Sequence, residues 1–343
     1  MVTIFDVARH AGVSKSTVSL VLNKSPLVKD ETRLKVEEAI RALGYVPNQN
    51  ARGLIKKETK CLGVIIAIED QPRHSYEYTY ETGLYSYNIT NGIPVGLQDT
   101  DYGLLTERFC APRDGQGIPK LIRNNRVDGI FLVGGLFGED LIEEICARNL
   151  PVVAVGRRYD KIDSVSVDVS KAVYLAVKHL LETGHQNICY INCPEIYRSS
   201  KERADGVAQA MSAHNKKMQD DWMVYCRYNT GEGGYLAFKA LWESGARPDA
   251  IAAANEPIAL GIMRYLYEQN IRVPDDISLV AYDTSVLGGY AAPPITSVNI
   301  SKEKMGEIAA QMLLRRIDAP GKEIESIIID PELVIQSSVK KRN

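Results

Sequence analysis

The tightest constraint on this chain sits at its start, where two short helices can be read around a single glycine turn. Thr3 can cap a first helix, and Asp6, three residues on, falls in its electropositive first turn. Ala11-Gly12-Val13 supplies the sharp elbow, for which glycine is the usual solution. Ser14 then caps a second helix. At about 100° per residue, that helix carries Thr17, Val18, Val21 and Leu22 on one side and Lys15, Ser16, Ser19 and Leu20 on the other. One side can pack. The other is short, polar and cationic apart from its leucine, which suits a DNA major groove. The competing reading is a small helical hairpin that packs and binds nothing.

A third amphipathic helix follows from about Asp30 to Leu43, with Val36, Ala39, Ile40 and Leu43 in register and Gly44 as its stop. Gly44-Tyr45-Val46-Pro47-Asn48 and Ala51-Arg52-Gly53-Leu54 come next. With Asp6-Val7-Ala8, Ala11-Gly12-Val13-Ser14, Ser16-Thr17-Val18-Ser19, Val21-Leu22-Asn23 and Glu31-Thr32-Arg33, in that order and spacing, the run resembles the headpiece and hinge of the LacI/GalR family of bacterial transcription regulators. The resemblance extends to Pro331-Glu332-Leu333-Val334 near the end of the chain.

The resemblance implies a small all-α helix-turn-helix headpiece over 1–45 and a hinge helix with linker over 46–59. It further implies an α/β body over 60–340, built as two periplasmic-binding-protein-like lobes with parallel sheets. One lobe takes about 60–158 and 294–322, the other about 162–291 and 325–340, with crossings near Arg157–Asp163, Tyr290–Pro294 and Gly321–Glu325. DNA contacts are expected from Ser14, Lys15, Ser16, Thr17, Ser19, Leu20, Asn23, Tyr45, Asn48, Leu54 and Lys57. Lys15, Ser16 and Leu20 match the principal base readers, although relatives usually hold Arg at the third position. Asn48–Leu54, about two turns, is too short to be helical alone, so it is expected to fold on the operator with Leu54 as a minor-groove wedge.

Charge follows the same division. Residues 1–60 hold eleven Lys/Arg and six Asp/Glu, a net +5, which leaves −7 for the rest of a chain of net charge −2. A basic head on an acidic body fits a protein whose head alone meets phosphate. The six cysteines are scattered without metal spacing and no signal peptide is evident, so free thiols and a cytoplasmic location are expected.

Beyond Cys61 apolar runs alternate with helical stretches, the pattern of parallel sheets covered by helices. Strands are expected at Leu62–Ile68, Val95–Gln98, Gly129–Val133, Val152–Val155, Ile188–Asn192, Ala250–Ala254, Ile277–Tyr282 and Ser326–Ile329. Ligands of such sheets bind beyond the carboxyl ends of strands. There Asp283 and Asn255 follow strands, and Arg203 opens a helix. A carboxylate, an amide and a guanidinium suit the hydroxyls of a sugar, and all three match positions where the family contacts its effector. Asn255 and Arg203 can equally serve as helix-start residues.

Other cleft positions depart from the family. Gln71-Pro72-Arg73-His74 stands for an Asn-Pro-aromatic pair, Gly156 for a common Asp, Asn229 for an aromatic, Glu256 for Asp and Ile300 for Gln. The effector expected is a small saccharide held by Asp283, Asn255 and Arg203, with Arg157 at the cleft edge. Arg73, His74, Arg157 and Arg158 raise a sugar acid or phosphosugar as the alternative, and a nucleobase is a further one. Tyr76, Tyr78, Tyr80, Tyr85 and Tyr87 form either a stacking wall or a dimer or lobe surface.

Two other classes compete. A cytoplasmic solute-binding or sugar-handling protein would share the body but would not need the headpiece. An enzyme finds little support: Gly134-Gly135-Leu136-Phe137-Gly138 is no phosphate loop, and His185 reads as structural. No catalytic residue, metal or cofactor is expected. A homodimer on a near-palindromic operator is, since no heptad run follows the last apolar segment to build a tetramer.

Overall fold

The computed structural model describes residues 2–22, 25–45, 58–68, 76–110, 117–135, 137–283 and 286–342. It divides into two compact units, Met1–Lys60 and Cys61–Asn343. In the first, α1 (Ile4–Ala11), α2 (Lys15–Leu22) and α3 (Asp30–Leu43) surround a core of Val7, Ala8, Val18, Val21, Val28, Val36 and Ala39. Local chemistry sets their ends. The Asp6 carboxylate takes the amide and hydroxyl of Thr3 at 2.9 and 2.7 Å, and that hydrogen bonding holds its pKa below the usual value. The Ser14 hydroxyl accepts the Thr17 amide at 3.1 Å. Gly12 and Gly44 close α1 and α3 with φ of +66° and +61°, where a side chain would be strained.

The body holds two six-stranded sheets. The first contains β1 (Cys61–Ala67), β2 (Gly103–Phe109), β3 (Gly129–Val133), β4 (Val152–Val155), β5 (Asp163–Val167) and β11 (Ser326–Ile329), all parallel, in the order β11-β5-β4-β3-β1-β2. The helices α4 (Tyr76–Leu97), α5 (Lys120–Arg123), α6 (Glu139–Ala147) and α12 (Lys302–Asp318) pack with it. The second contains β6 (Ile188–Asn192), β7 (Met223–Tyr225), β8 (Ala250–Ala253), β9 (Ser278–Tyr282), β10 (Thr296–Asn299) and β12 (Glu332–Val334), in the order β12-β10-β9-β8-β6-β7. Only β12 runs antiparallel there. This lobe carries α7 (Val169–Glu182), α8 (Arg198–Ala213), α9 (Gly231–Glu243), α10 (Glu256–Glu268) and α11 (Val286–Gly289).

Three expectations are corrected. Val95–Gln98 is no strand: through Leu97 it is the last turn of α4, despite Pro94. That helix runs so close to α12 that a Cβ on Gly92 would lie 1.8 Å from the Glu303 carbonyl, so tertiary packing outweighs a strand-like local composition. The lobe boundaries also move. Asp163–Val167 pairs with β4 and stays in the first sheet, so the chain crosses at Asp168 rather than at Arg157–Asp163. Thr296–Asn299 pairs with β9, which puts the second crossing at Ile300-Ser301 and not at Tyr290–Pro294. The third lies at Asp330-Pro331, after β11, not at Gly321–Glu325. The Pro- and Gly-rich loops connect elements within one lobe, whereas each crossing is only one or two residues between regular elements. Finally Arg203 does not open a helix: α8 begins five residues earlier, at Arg198.

Candidate functional site

In the headpiece, α2 turns its faces as its periodicity requires. Val18 and Val21 are buried, while Lys15, Ser16 and Leu20 are exposed. Lys15 Nζ lies 4.9 Å from the ring centre of Phe5, itself largely exposed, so a cation–π contact directs the lysine. Ser14 and Thr17 form the cap, with their hydroxyls 2.9 Å apart, and Ser19 is half-buried. Tyr45 packs on the headpiece core, and its amide donates to the Ile40 carbonyl at 3.1 Å. Asn23, Asn48, Leu54 and Lys57 lie outside the described residues, as do Arg73 and His74.

The body encloses a cavity of about 910 Å³ between its two sheets. Its wall includes the residues that follow strands in each lobe: Ile68, Gly134, Gly156 and Asp168 on one side, Asn255 and Asp283 on the other. Arg203, Arg157 and Arg158 complete the expected set, so among the described residues every expected effector contact faces this one cavity.

The second-lobe groups form a connected wall. Asp283 leaves β9 with φ of +71° and receives a buried ion pair from Lys302 at the start of α12. Burial pushes its carboxyl up, and the lysine offsets part of that rise. Arg203 stacks on Tyr282 at 4.8 Å and donates through Nη1 to the Ser199 hydroxyl at 2.8 Å. Its Nε is buried without a partner. Asn255 is the N-cap of α10: its Oδ1 accepts the Ile258 amide at 2.9 Å while its Nδ2 donates to Asn229 Oδ1. Cys193 donates to that same oxygen at 3.1 Å from behind the wall. Glu256 turns away from the ligand space to accept the Gly288 amide at 2.6 Å.

The first-lobe wall is fastened differently. Arg157 donates to the carbonyls of Gly135 and Phe137, both at 3.1 Å, pairs with Glu139 at 3.2 Å and lies over Tyr159. It is the clamp of the loop after β3 more than an edge residue, although its Nε too is buried and unpartnered. Gly156 has φ of +97°, and a Cβ there would sit 2.5 Å from the Tyr85 hydroxyl. That phenol occupies the space into which a side chain from this position would project. Lys302, Asn229 and Tyr85 were absent from the sequence-derived site. Of these only Asn229 and Tyr85 had a visible signal, as a departure from the family and as one of a cluster of tyrosines.

Comparison with known proteins agrees with this layout. Residues 3–48 match the family model for bacterial regulatory proteins of the lacI family, and residues 177–339 match a periplasmic binding protein-like domain. The chain is 32% identical over 345 residues to the HTH-type transcriptional repressor PurR of Mannheimia succiniciproducens, covering 99% of both chains. It is 30% identical over 345 residues to the ribose operon repressor of Haemophilus influenzae, again covering 99% of both. Among solved structures, a transcriptional regulator CelR–cellobiose complex superposes with a TM-score of 0.72 at 27% identity, over 98% of this chain and 100% of that one. The lac repressor dimer bound to operator and the anti-inducer ONPF gives 0.80 at 24% identity, over 99% of each chain, a likeness of fold. The chain belongs to the LacI family of DNA-binding transcriptional regulators, a family of repressors and not of enzymes. Among the described residues no helix is long and apolar enough to cross a membrane, and no cluster of His, Cys, Asp or Glu could hold a metal. None of the six cysteines forms a disulfide.

Proposed function

We propose that this repressor reads a near-palindromic operator as a homodimer and that a small saccharide in the interlobe cavity sets its operator affinity. The observation that carries the effector reading is the Arg203–Asp283 wall, where a guanidinium with a buried, unpartnered Nε and a carboxylate flank one cavity. A ring bearing neighbouring hydroxyls both donates and accepts, which matches that pair. Such a ligand controls DNA binding only by binding the lobe arrangements with unequal affinity, and groups from both lobes on one cavity provide for that. The second reading is a nucleobase, favoured by relatives that bear the name PurR.

On the DNA side, Lys15, Ser16 and Leu20 set the half-site, and Leu20 offers a thymine methyl an apolar contact in place of a bidentate arginine on guanine. Thermal-shift screening with neutral sugars, sugar acids and nucleobases tests the effector. A saccharide is expected to raise the melting temperature, and Asp283→Ala is expected to abolish that rise while operator binding persists. A purine as the best ligand, or full ligand binding by Asp283→Ala, would overturn the saccharide reading.

A further inference from the structure

Arginines outnumber acids on the wall of the cavity. We propose that the effector is an anionic carbohydrate, a hydroxylated ring carrying an oxyanion, gripped between the guanidinium groups of Arg157 and Arg203. This rests on the saccharide reading above and narrows it.

Among the described residues five arginines line the cavity: Arg108, Arg157, Arg158, Arg198 and Arg203. Three acids face them, and each has a partner; among the arginines, Arg157 and Arg158 pair in turn with Glu139 and Asp160, at 3.2 and 3.9 Å. Asp168 caps α7 by accepting the Lys171 amide at 2.8 Å. Glu202 pairs with Arg198 at 3.3 Å. Asp283 is held by Lys302, whose buried side chain adds a further cation directly behind the wall. Around this cationic pocket the body as a whole carries −7. A local reversal of sign inside a low-dielectric cleft concentrates anions there.

The arginines also show where an anion would dock. Arg157 Nε and Arg203 Nε are both buried and both without a partner. A guanidinium Nε–H beside an Nη–H is the fork that receives two oxygens of a carboxylate or phosphate. Arg157 follows β4 in the first lobe and Arg203 lies on α8 in the second. An oxyanion that engages both is bound best when the lobes are closed on it, which supplies the unequal affinity that control of DNA binding requires.

Titration calorimetry on the full-length chain tests this with ribose and cellobiose as neutral probes, ribose 5-phosphate and glucuronate as anionic ones, and inorganic phosphate and hypoxanthine as controls. We expect one anionic sugar to bind at least about tenfold more tightly than its neutral counterpart, with affinity falling as NaCl is raised. Arg203→Gln should weaken the anionic ligand at least about tenfold and the neutral one less. Arg157→Lys, on the other lobe, keeps the charge beside Glu139 but loses the fork; it should weaken the anionic ligand too and serves if the first variant folds poorly. A salt-insensitive preference for ribose over ribose 5-phosphate would overturn the anionic assignment and leave the saccharide reading standing. Hypoxanthine as the tightest ligand would overturn both. Inorganic phosphate binding as tightly as ribose 5-phosphate would overturn the carbohydrate part and leave a bare oxyanion site.

Discussion

Two ion pairs in the body are largely buried, and only one of them reaches the cavity wall. Arg316 and Asp163, 14% and 4% exposed, sit in the first lobe; Lys302 and Asp283, 5% and 13% exposed, sit at the cavity. Arg316 grips both Asp163 oxygens at 2.8 and 2.7 Å and donates as well to the carbonyls of Pro320, Lys322 and Glu323. Asp163 takes the Glu325 amide at 2.8 Å in addition. The Asp283 neighbourhood is less complete, since Arg203 beside it has a hydroxyl, an aromatic face and one bare Nε. Burial alone does not separate scaffold from site. Unspent hydrogen-bonding capacity does so only together with the cavity, since Tyr190 Oη and Arg342 Nε are also buried and unpartnered away from it.

That contrast predicts opposite behaviour of two buried arginines. Arg316→Ala strands Asp163 without its partner and should cost about 3–5 kcal/mol in urea unfolding. Arg203→Gln gives up one hydrogen bond and a cation–π contact but also removes a desolvated charge, so its cost should be about 1 kcal/mol. Equal losses for the two variants would erase the distinction between saturated scaffold and unsaturated site.

The first-lobe wall of the cavity can be probed at Gly156. Its φ of +97° and the Tyr85 hydroxyl 2.5 Å from any Cβ leave no room for a side chain. Gly156→Ala should therefore destabilise by about 1–3 kcal/mol, from backbone strain and from the clash. Tyr85→Phe removes only the hydroxyl, so the double variant should recover roughly 0.5–1 kcal/mol of that loss. A double-mutant cycle with no coupling would show that the phenol is not what fills this corner.

How far the sequence could be read follows from the range of the interactions involved. Thr3, Ser14, Gly12 and Gly44 act within four residues of themselves, and the three headpiece helices they delimit were legible. In the body, β3, β4, β6, β8 and β9 are fully buried, largely apolar runs and were legible for that reason. β5 was not, because Asp163-Ser164-Val165-Ser166-Val167 looks like a polar loop until β11 pairs with it and Ser326 meets Ser164 at 3.0 Å. β2, β7, β10 and β12 are short or mixed in polarity, and the sheet beside each decides its state. In the cavity, Arg203, Asn255 and Asp283 were found by resemblance and by position after strands. Lys302 was not, since its tie to Asp283 spans 19 residues and a change of lobe.

The smallest expected effect bears on the residue with two roles. Asn255 Oδ1 caps α10 by accepting the Ile258 amide at 2.9 Å, while Nδ2 reaches across to Asn229 Oδ1 and lies 3.7 Å from Cys193 Sγ. Serine caps a helix about as well as asparagine but has no amide nitrogen to offer Asn229. Asn255→Ser should thus stay within about 0.5 kcal/mol of the parent in stability, whereas Asn255→Ala should lose about 1 kcal/mol with its cap. If the amide also orders the cavity wall, both variants lose part of the ligand-induced rise in melting temperature, and serine loses it without losing stability. Should Asn255→Ser keep the full ligand response, the residue is a helix cap alone, and the second-lobe wall of the site reduces to Arg203, Asp283 and the lysine behind it.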